Sequence, residues 1–239
     1  MSSLPATGVK GVSLIGVPTD IGTGLRGSRM GPEALRVAGI GQAIQQFGLD
    51  VKDCGNLNGP ANPWQAAVNG FRHLPEVVQW NQLLHDTTYA ELAARRLPIM
   101  LGGDHCLAIG SISAVARHCR AQGKKLRVLW FDMRYIDEMG MRHTMELALA
   151  LVDANTHLHV SLDVDFLDPT IAPGVGTTVR GGPTYREAQL CMEMIADTGR
   201  LASLDVVELN PALDQCNQTA ELAVDLIESL FGKSTLMRC

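Results

Sequence analysis

The chain has 239 residues, 46% hydrophobic and 19% charged, an ordinary profile for a folded α/β protein and long enough to bury a sizeable core. A formal net charge of −5 argues against a nucleic-acid partner held through phosphates, and 5% aromatic residues argue against a base-stacking platform. No apolar run approaches the ~20 residues of a membrane span, and Met1-Ser2-Ser3-Leu4-Pro5 lacks a basic stretch followed by an apolar core, so no membrane association and a cytoplasmic location are expected. The six cysteines (Cys54, Cys106, Cys119, Cys191, Cys216, Cys239) form no Cys-x-x-Cys pair or compact framework and read as reduced thiols.

Short β-branched runs alternate with helix-period segments, which predicts one α/β domain with a parallel sheet covered on both faces. In chain order, Val12 to Val17 reads as a buried strand and Gly-rich Pro18 to Gly31 as a loop. Pro32 then opens a helix running to about Phe47. Leu49 to Cys54 is a second strand, Gly55 to Pro63 a loop and Leu74 to Arg96 a helix. Leu97 to Leu101 is a strand with its exit at Gly102 to His105, followed by a helix over Ala108 to Ala121. Leu126 to Phe131 reads as another strand, Thr144 to Val152 as a helix and Thr156 to Leu162 as a strand. Thr184, with Glu187 three later, has the capping-box pattern for a helix to Asp197. A strand ends over Val206 to Leu209, and a helix over Thr219 to Phe231 stops at Gly232.

The chemistry-bearing residues sit where these strands end, the place where open parallel sheets bind ligands. They are Asp104 and His105, Asp132, Asp163 and Asp165, and Glu208. Residues two apart on a strand share a face, so Asp163 and Asp165 are expected to aim two carboxylates at one point, an arrangement a cation stabilises. Each cluster also has a plain reading: Asp104 and Asp132 suit helix caps, His105 a turn, Glu208 a turn acid. Their coincidence at one sheet edge favours a divalent-metal site of oxygen and imidazole ligands, for which Mn²⁺, Mg²⁺ or Zn²⁺ are candidates, and metal-dependent hydrolysis of an open substrate class.

Several segments then resemble the ureohydrolases, and within them the arginases. They are Ile15-Gly16-Val17-Pro18, Gly27 to Arg36, Gly102-Gly103-Asp104-His105, Ser161 to Pro169, Ala172-Pro173-Gly174, Gly181 to Glu187, Asp205 to Pro211 and the tail from Asn217 to Lys233. The resemblance runs in order along nearly the whole chain. It implies a three-layer α/β/α fold with a mainly parallel sheet and a binuclear manganese site that hydrolyses L-arginine to L-ornithine and urea. It also implies that His105 binds one manganese, that Asp163 and Asp132 bridge both, and that Asp165 binds the second. Glu208 would hold the substrate guanidinium with Thr177 nearby, and a bridging hydroxide would attack the guanidinium carbon, the metals stabilising the resulting intermediate. A homo-oligomer, trimer or hexamer, is implied as well. The family's Asp-x-His-x-Asp run is absent: after Leu129-Trp130-Phe131-Asp132 the chain continues Met133-Arg134-Tyr135, which resembles a later part of the family. One His ligand, one Asp ligand, the loop that grips the substrate's α-carboxylate and α-amino groups, and a proton-shuttling His are thereby missing. The sheet is expected to lack edge strands, and activity is expected to be low. The alternatives are a non-catalytic relative that associates with active subunits and a sister hydrolase acting on agmatine.

Overall fold

Five apolar runs become strands in the computed structural model, which describes residues 8–129 and 131–233: β1 (Val12–Gly16), β2 (Val51–Asn56), β3 (Leu97–Leu101), β4 (Leu158–Asp163) and β5 (Leu201–Val207). They pair parallel throughout in the order β2-β1-β3-β5-β4. Parallel neighbours need crossovers, and the helices supply them: α1 (Gly31–Val37), α2 (Ile40–Gln45), α3 (Leu74–Ala93), α4 (Ala108–Ala121), α5 (Met133–Met139), α6 (Met141–Leu149), α7 (Tyr185–Asp197) and α8 (Gln218–Leu230).

Alternate strand residues face opposite layers. Val12 and Leu14 of β1, with Ile99 and Leu204, pack against Leu35, Ile40, Ala188 and Leu226 from α1, α2, α7 and α8. Ile15, Met100 and Val207 face the other way, onto Trp80 and Leu84 of α3. Every residue of β1, β3 and β5 is buried, whereas the edge strands β2 and β4 are partly exposed. The result is the expected three-layer α/β/α sandwich.

Near the start of β1, a polar network is centred on buried Ser13 and Glu91 and opens to solvent at Lys52 and Asp50. Ser13 Oγ donates to Glu91 Oε2 at 2.6 Å, Arg96 Nε donates to Ser13 Oγ at 2.7 Å, and Lys52 Nζ reaches Glu91 Oε1 at 2.6 Å. Arg96 also holds Asp50. Every charge in it has an opposite partner, the condition under which buried charge is tolerated.

Three expectations shift. The helix foreseen from Pro32 to Phe47 is split into α1 and α2 by Gly39, whose φ of 84° ends the first helix in the left-handed region where glycine is favoured. The helix near residue 144 begins earlier, at Met141, and is preceded by α5, which buries none of its residues. The strand expected over Leu126 to Phe131 does not form among the described residues, Trp130 lying outside them. Leu126, Val128 and Leu129 are 54%, 83% and 49% exposed. β-propensity needs a neighbouring strand and a covered face to be realised, and this run has neither. β4 therefore ends the sheet, where a further strand leading to Asp132 was expected beside it.

Candidate active site

The site is built by the exit of β3. A Cβ on Gly102 would lie 2.9 Å from the Val206 carbonyl oxygen, and one on Gly103 1.9 Å from that of Thr19. Only glycines fit between the β1 loop and β5, so β3 can turn sharply at its end. Asp104 then caps the next turn, its Oδ1 accepting from the Cys106 N–H at 2.8 Å. This turn, His105 to Leu107, carries His105 over the sheet edge.

There His105 meets the ends of two other strands. Its Nδ1 lies 2.7 Å from Asp163 Oδ2 at the end of β4, and its Nε2 lies 3.2 Å from Ser161 Oγ. The His105 N–H donates to Glu208 Oε1 at 2.6 Å. Glu208 follows β5, with its own N–H on the Gly103 carbonyl at 2.8 Å and a φ of 64°. A left-handed glutamate is uncommon, and such backbone is retained where surrounding contacts hold it.

Asp163 and Asp165 meet by a different route from the one the spacing suggested. The strand stops at Asp163, and Val164 to Phe166 form a tight turn in which the Asp165 N–H donates to Asp163 Oδ1 at 3.1 Å. The two carboxylates are neighbours because the chain folds back, not because they share a strand face.

Electrostatics mark the cluster. Burial, reinforced by the nearby Asp163 charge, pushes the Asp165 carboxyl up to about 7. Burial likewise raises Glu208 to about 7, with the charges of Asp104, Asp163 and Asp165 adding to it and the His105 N–H opposing. The hydrogen bond that the His105 imidazole donates to Asp163 raises its pKa, against its own desolvation. Several acids thus crowd around one imidazole, and a bound cation would relieve them.

Thr177 is exposed on the loop after Val175. That loop is tied to the Glu208 exit by the Val175–Leu209 bridge and by the Asn210 N–H on the Gly174 carbonyl at 2.7 Å. Asp132 is not brought to the cluster. It is exposed, and its Oδ1 caps α5 by accepting the Tyr135 N–H at 2.8 Å. Its placement followed from the strand that does not form, and the helix-cap reading of this aspartate is the one the structure shows.

Two participants were missed. Ser161 shares the strand face of Asp163 and touches His105; period-two spacing was the available signal. Asp205 is 1% exposed and is held by Ser111 Oγ, with His159 Nε2 at 3.3 Å from its Oδ2. An acid inside an otherwise apolar strand was legible, but its partners come from α4 and β4.

His105, Asp163 and Asp165 are hard oxygen and imidazole donors of the type that Mn²⁺ accepts. Among the described residues no group of three or more His, Cys, Asp or Glu side chains is disposed to hold a metal ion. The donor chemistry therefore fits a divalent ion, while the number of donors falls short of what two ions need.

Comparison with known proteins follows the same lines. The model of the Arginase family matches residues 10–133 and 131–232, two stretches that meet at the join after Phe131. The chain is 37% identical to the arginase of Brucella melitensis biotype 1 over 298 residues, covering 94% of this chain and 97% of that one. Because 94% of 239 residues is about 225, about 70 positions of that alignment have no counterpart here. The solved structure of the arginase from Bacillus caldovelox superposes with a TM-score of 0.84 at 30% identity, covering 95% of this chain and 100% of the other. A hypothetical agmatinase from Burkholderia thailandensis shares the fold at a TM-score of 0.68 and 24% identity, over 94% and 85% of the two chains. With the family model matched over residues 10–133 and 131–232 and relatives 30–37% identical over most of the chain, the chain belongs to the arginase family of amidinohydrolases.

Proposed function

We propose that this chain acts on L-arginine, giving L-ornithine and urea with manganese, and that in this shortened form its turnover is low. The observation that carries the reading is the convergence of His105, Asp163, Asp165 and Glu208 from three strand exits. The names of the relatives supply the substrate and the reaction. His105, Asp163 and Asp165 would be the residues that hold manganese. Manganese, when bound, supplies the Lewis acidity that makes water nucleophilic near neutral pH. Glu208 offers a carboxylate to the planar fork of a guanidinium, a charge-assisted pairing, and Thr177 lies on the loop bound to its exit. As a cap of α5, Asp132 takes no part in this reading. The protein is cytoplasmic and a homo-oligomer, trimer or hexamer.

Low turnover follows from the ligand count. Loss of an outer-shell partner of a metal ligand already weakens affinity or activity by about 10–100-fold, and this chain lacks ligands themselves, so urea release with added Mn²⁺ is expected to fall at least about 100-fold below that of an intact family member. Agmatine should release less urea than L-arginine. Comparable turnover would overturn the low-activity reading, preferential agmatine hydrolysis would move the chain to the sister hydrolases, and absence of both urea and bound manganese would overturn the metal site. One observation favours a second reading, a non-catalytic relative that associates with active subunits: Asp132 is engaged in capping away from the cluster. Elemental analysis separates the two, since that relative would bind little manganese.

A further inference from the structure

The loop after β1 leaves the sheet at the same end as His105 and Glu208. It is fastened beside them: Asn210 Nδ2, two residues beyond Glu208, donates to the Arg26 carbonyl at 3.1 Å. A Cβ on the next residue, Gly27, would lie 2.0 Å from Asn210 Oδ1, so the loop fits tightly against that exit. Earlier in the loop, a Cβ on Gly22 would lie 2.9 Å from the carboxylate of Asp104. Asn62 Nδ2 ties a second loop to it through the Asp20 carbonyl at 2.9 Å. That second loop presents Trp64, 39% exposed, and the Arg26 guanidinium lies over its ring at 4.4 Å.

Arg26 is exposed and forms no ion pair with a carboxylate among the described residues. The neighbouring Arg72 is engaged on the Thr23 carbonyl. Stacking occupies one face of the Arg26 guanidinium and fixes its plane, leaving edge N–H donors for a bidentate anion. A guanidino substrate anchored at Glu208 would carry its remaining groups away from that carboxylate, and Arg26 is fastened by its backbone two residues beyond it.

We propose that Arg26, oriented by Trp64, is a specificity-determining residue that receives the α-carboxylate of an amino-acid substrate. The assignment rests on the guanidino-substrate reading of the site. It gives the chain a means of preferring L-arginine over agmatine, which has no carboxylate, without the loop that the family uses for that group.

Ligand-observed NMR titrations of the full chain with Mn²⁺, using L-arginine and agmatine on wild type, Arg26→Gln and Arg26→Lys, test this. Arg26→Gln should weaken L-arginine binding about tenfold, as expected for losing hydrogen bonds to a charged group at a partly solvated rim, and leave agmatine within about twofold. Arg26→Lys, which keeps the charge but not the fork, should recover part of the loss. Arg26 is exposed, so both variants should melt as wild type does. Equal weakening of both ligands, or of neither, while wild type binds L-arginine would overturn the role of Arg26 and leave the site reading intact. If wild type binds neither compound, the guanidino reading fails and this assignment falls with it.

Discussion

Gly103→Ala tests how the site is supported. The added methyl would stand 1.9 Å from the Thr19 carbonyl oxygen and 3.2 Å from that of Ser28, both backbone atoms that cannot swing aside. Relief requires the β1 loop and the β3 exit to separate. Two hydrogen bonds hold the β3 exit there, one across that junction from the Asp104 N–H to the Thr19 carbonyl at 3.1 Å and one from the Glu208 N–H at the β5 exit to the Gly103 carbonyl at 2.8 Å, and both would be strained. Overpacking costs about 1–3 kcal/mol and each strained hydrogen bond about 1 kcal/mol, for a total of roughly 3–5 kcal/mol. For a chain of this size that lowers Tm by about 6–20 °C. Thermal unfolding followed by circular dichroism measures it, with Gly176→Ala as the control, since a Cβ there meets nothing within 4 Å. L-arginine binding should fall as well, because Glu208 hangs on the Gly103 carbonyl. If Gly103→Ala melts within about 2 °C of the control, the junction is softer than argued and the account of these glycines is wrong.

Glu91→Ala would take from buried Ser13 its acceptor, from Arg96 one of its two carboxylates and from half-exposed Lys52 its partner, and urea denaturation should show a loss of about 1–3 kcal/mol. Burial raises the Glu91 carboxyl, but the Lys52 and Ser13 hydrogen bonds and the Lys52 and Arg96 charges outweigh it and hold the group below its ordinary value. Its contribution is therefore present above the unfolded value and lost as pH falls through the folded one. His157 has the opposite chemistry: burial, with repulsion from His118, His159 and Lys124, lowers its imidazole to about 4. The unfolded chain then binds more protons between about pH 6.5 and 4, so stability should fall across that window by up to ~3 kcal/mol. His157→Gln should flatten that part of a stability–pH curve, and an unchanged slope would show that the imidazole does not carry it. Thr184→Ala removes one side of the capping box at α7 and should cost about 1 kcal/mol in denaturant titration. Glu208→Gln should weaken L-arginine binding at least about tenfold, and full retention would remove Glu208 from substrate recognition.

Much of this was legible in the residues because the signals are local. The buried runs of β1 and β3, the Thr184–Glu187 cap and the glycine pair before His105 each act within a few positions, through burial period, hydrogen bonds to the adjacent backbone, or the space a side chain lacks. Three-dimensional placement decided the rest. Leu126 to Leu129 has the composition of a strand, but a strand exists only with a neighbour to bond, so its state and the position of Asp132 depended on what else reached the β4 edge. The pairing of Asp163 with Asp165 depended on a turn closing after β4. Arg26 and Trp64 lie 38 residues apart and meet only because Asn62 and Asn210 pin their loops to common ground. Short-range sterics and hydrogen bonding are written in neighbouring letters. Contacts between distant segments depend on which strands lie side by side, and that order was set by packing.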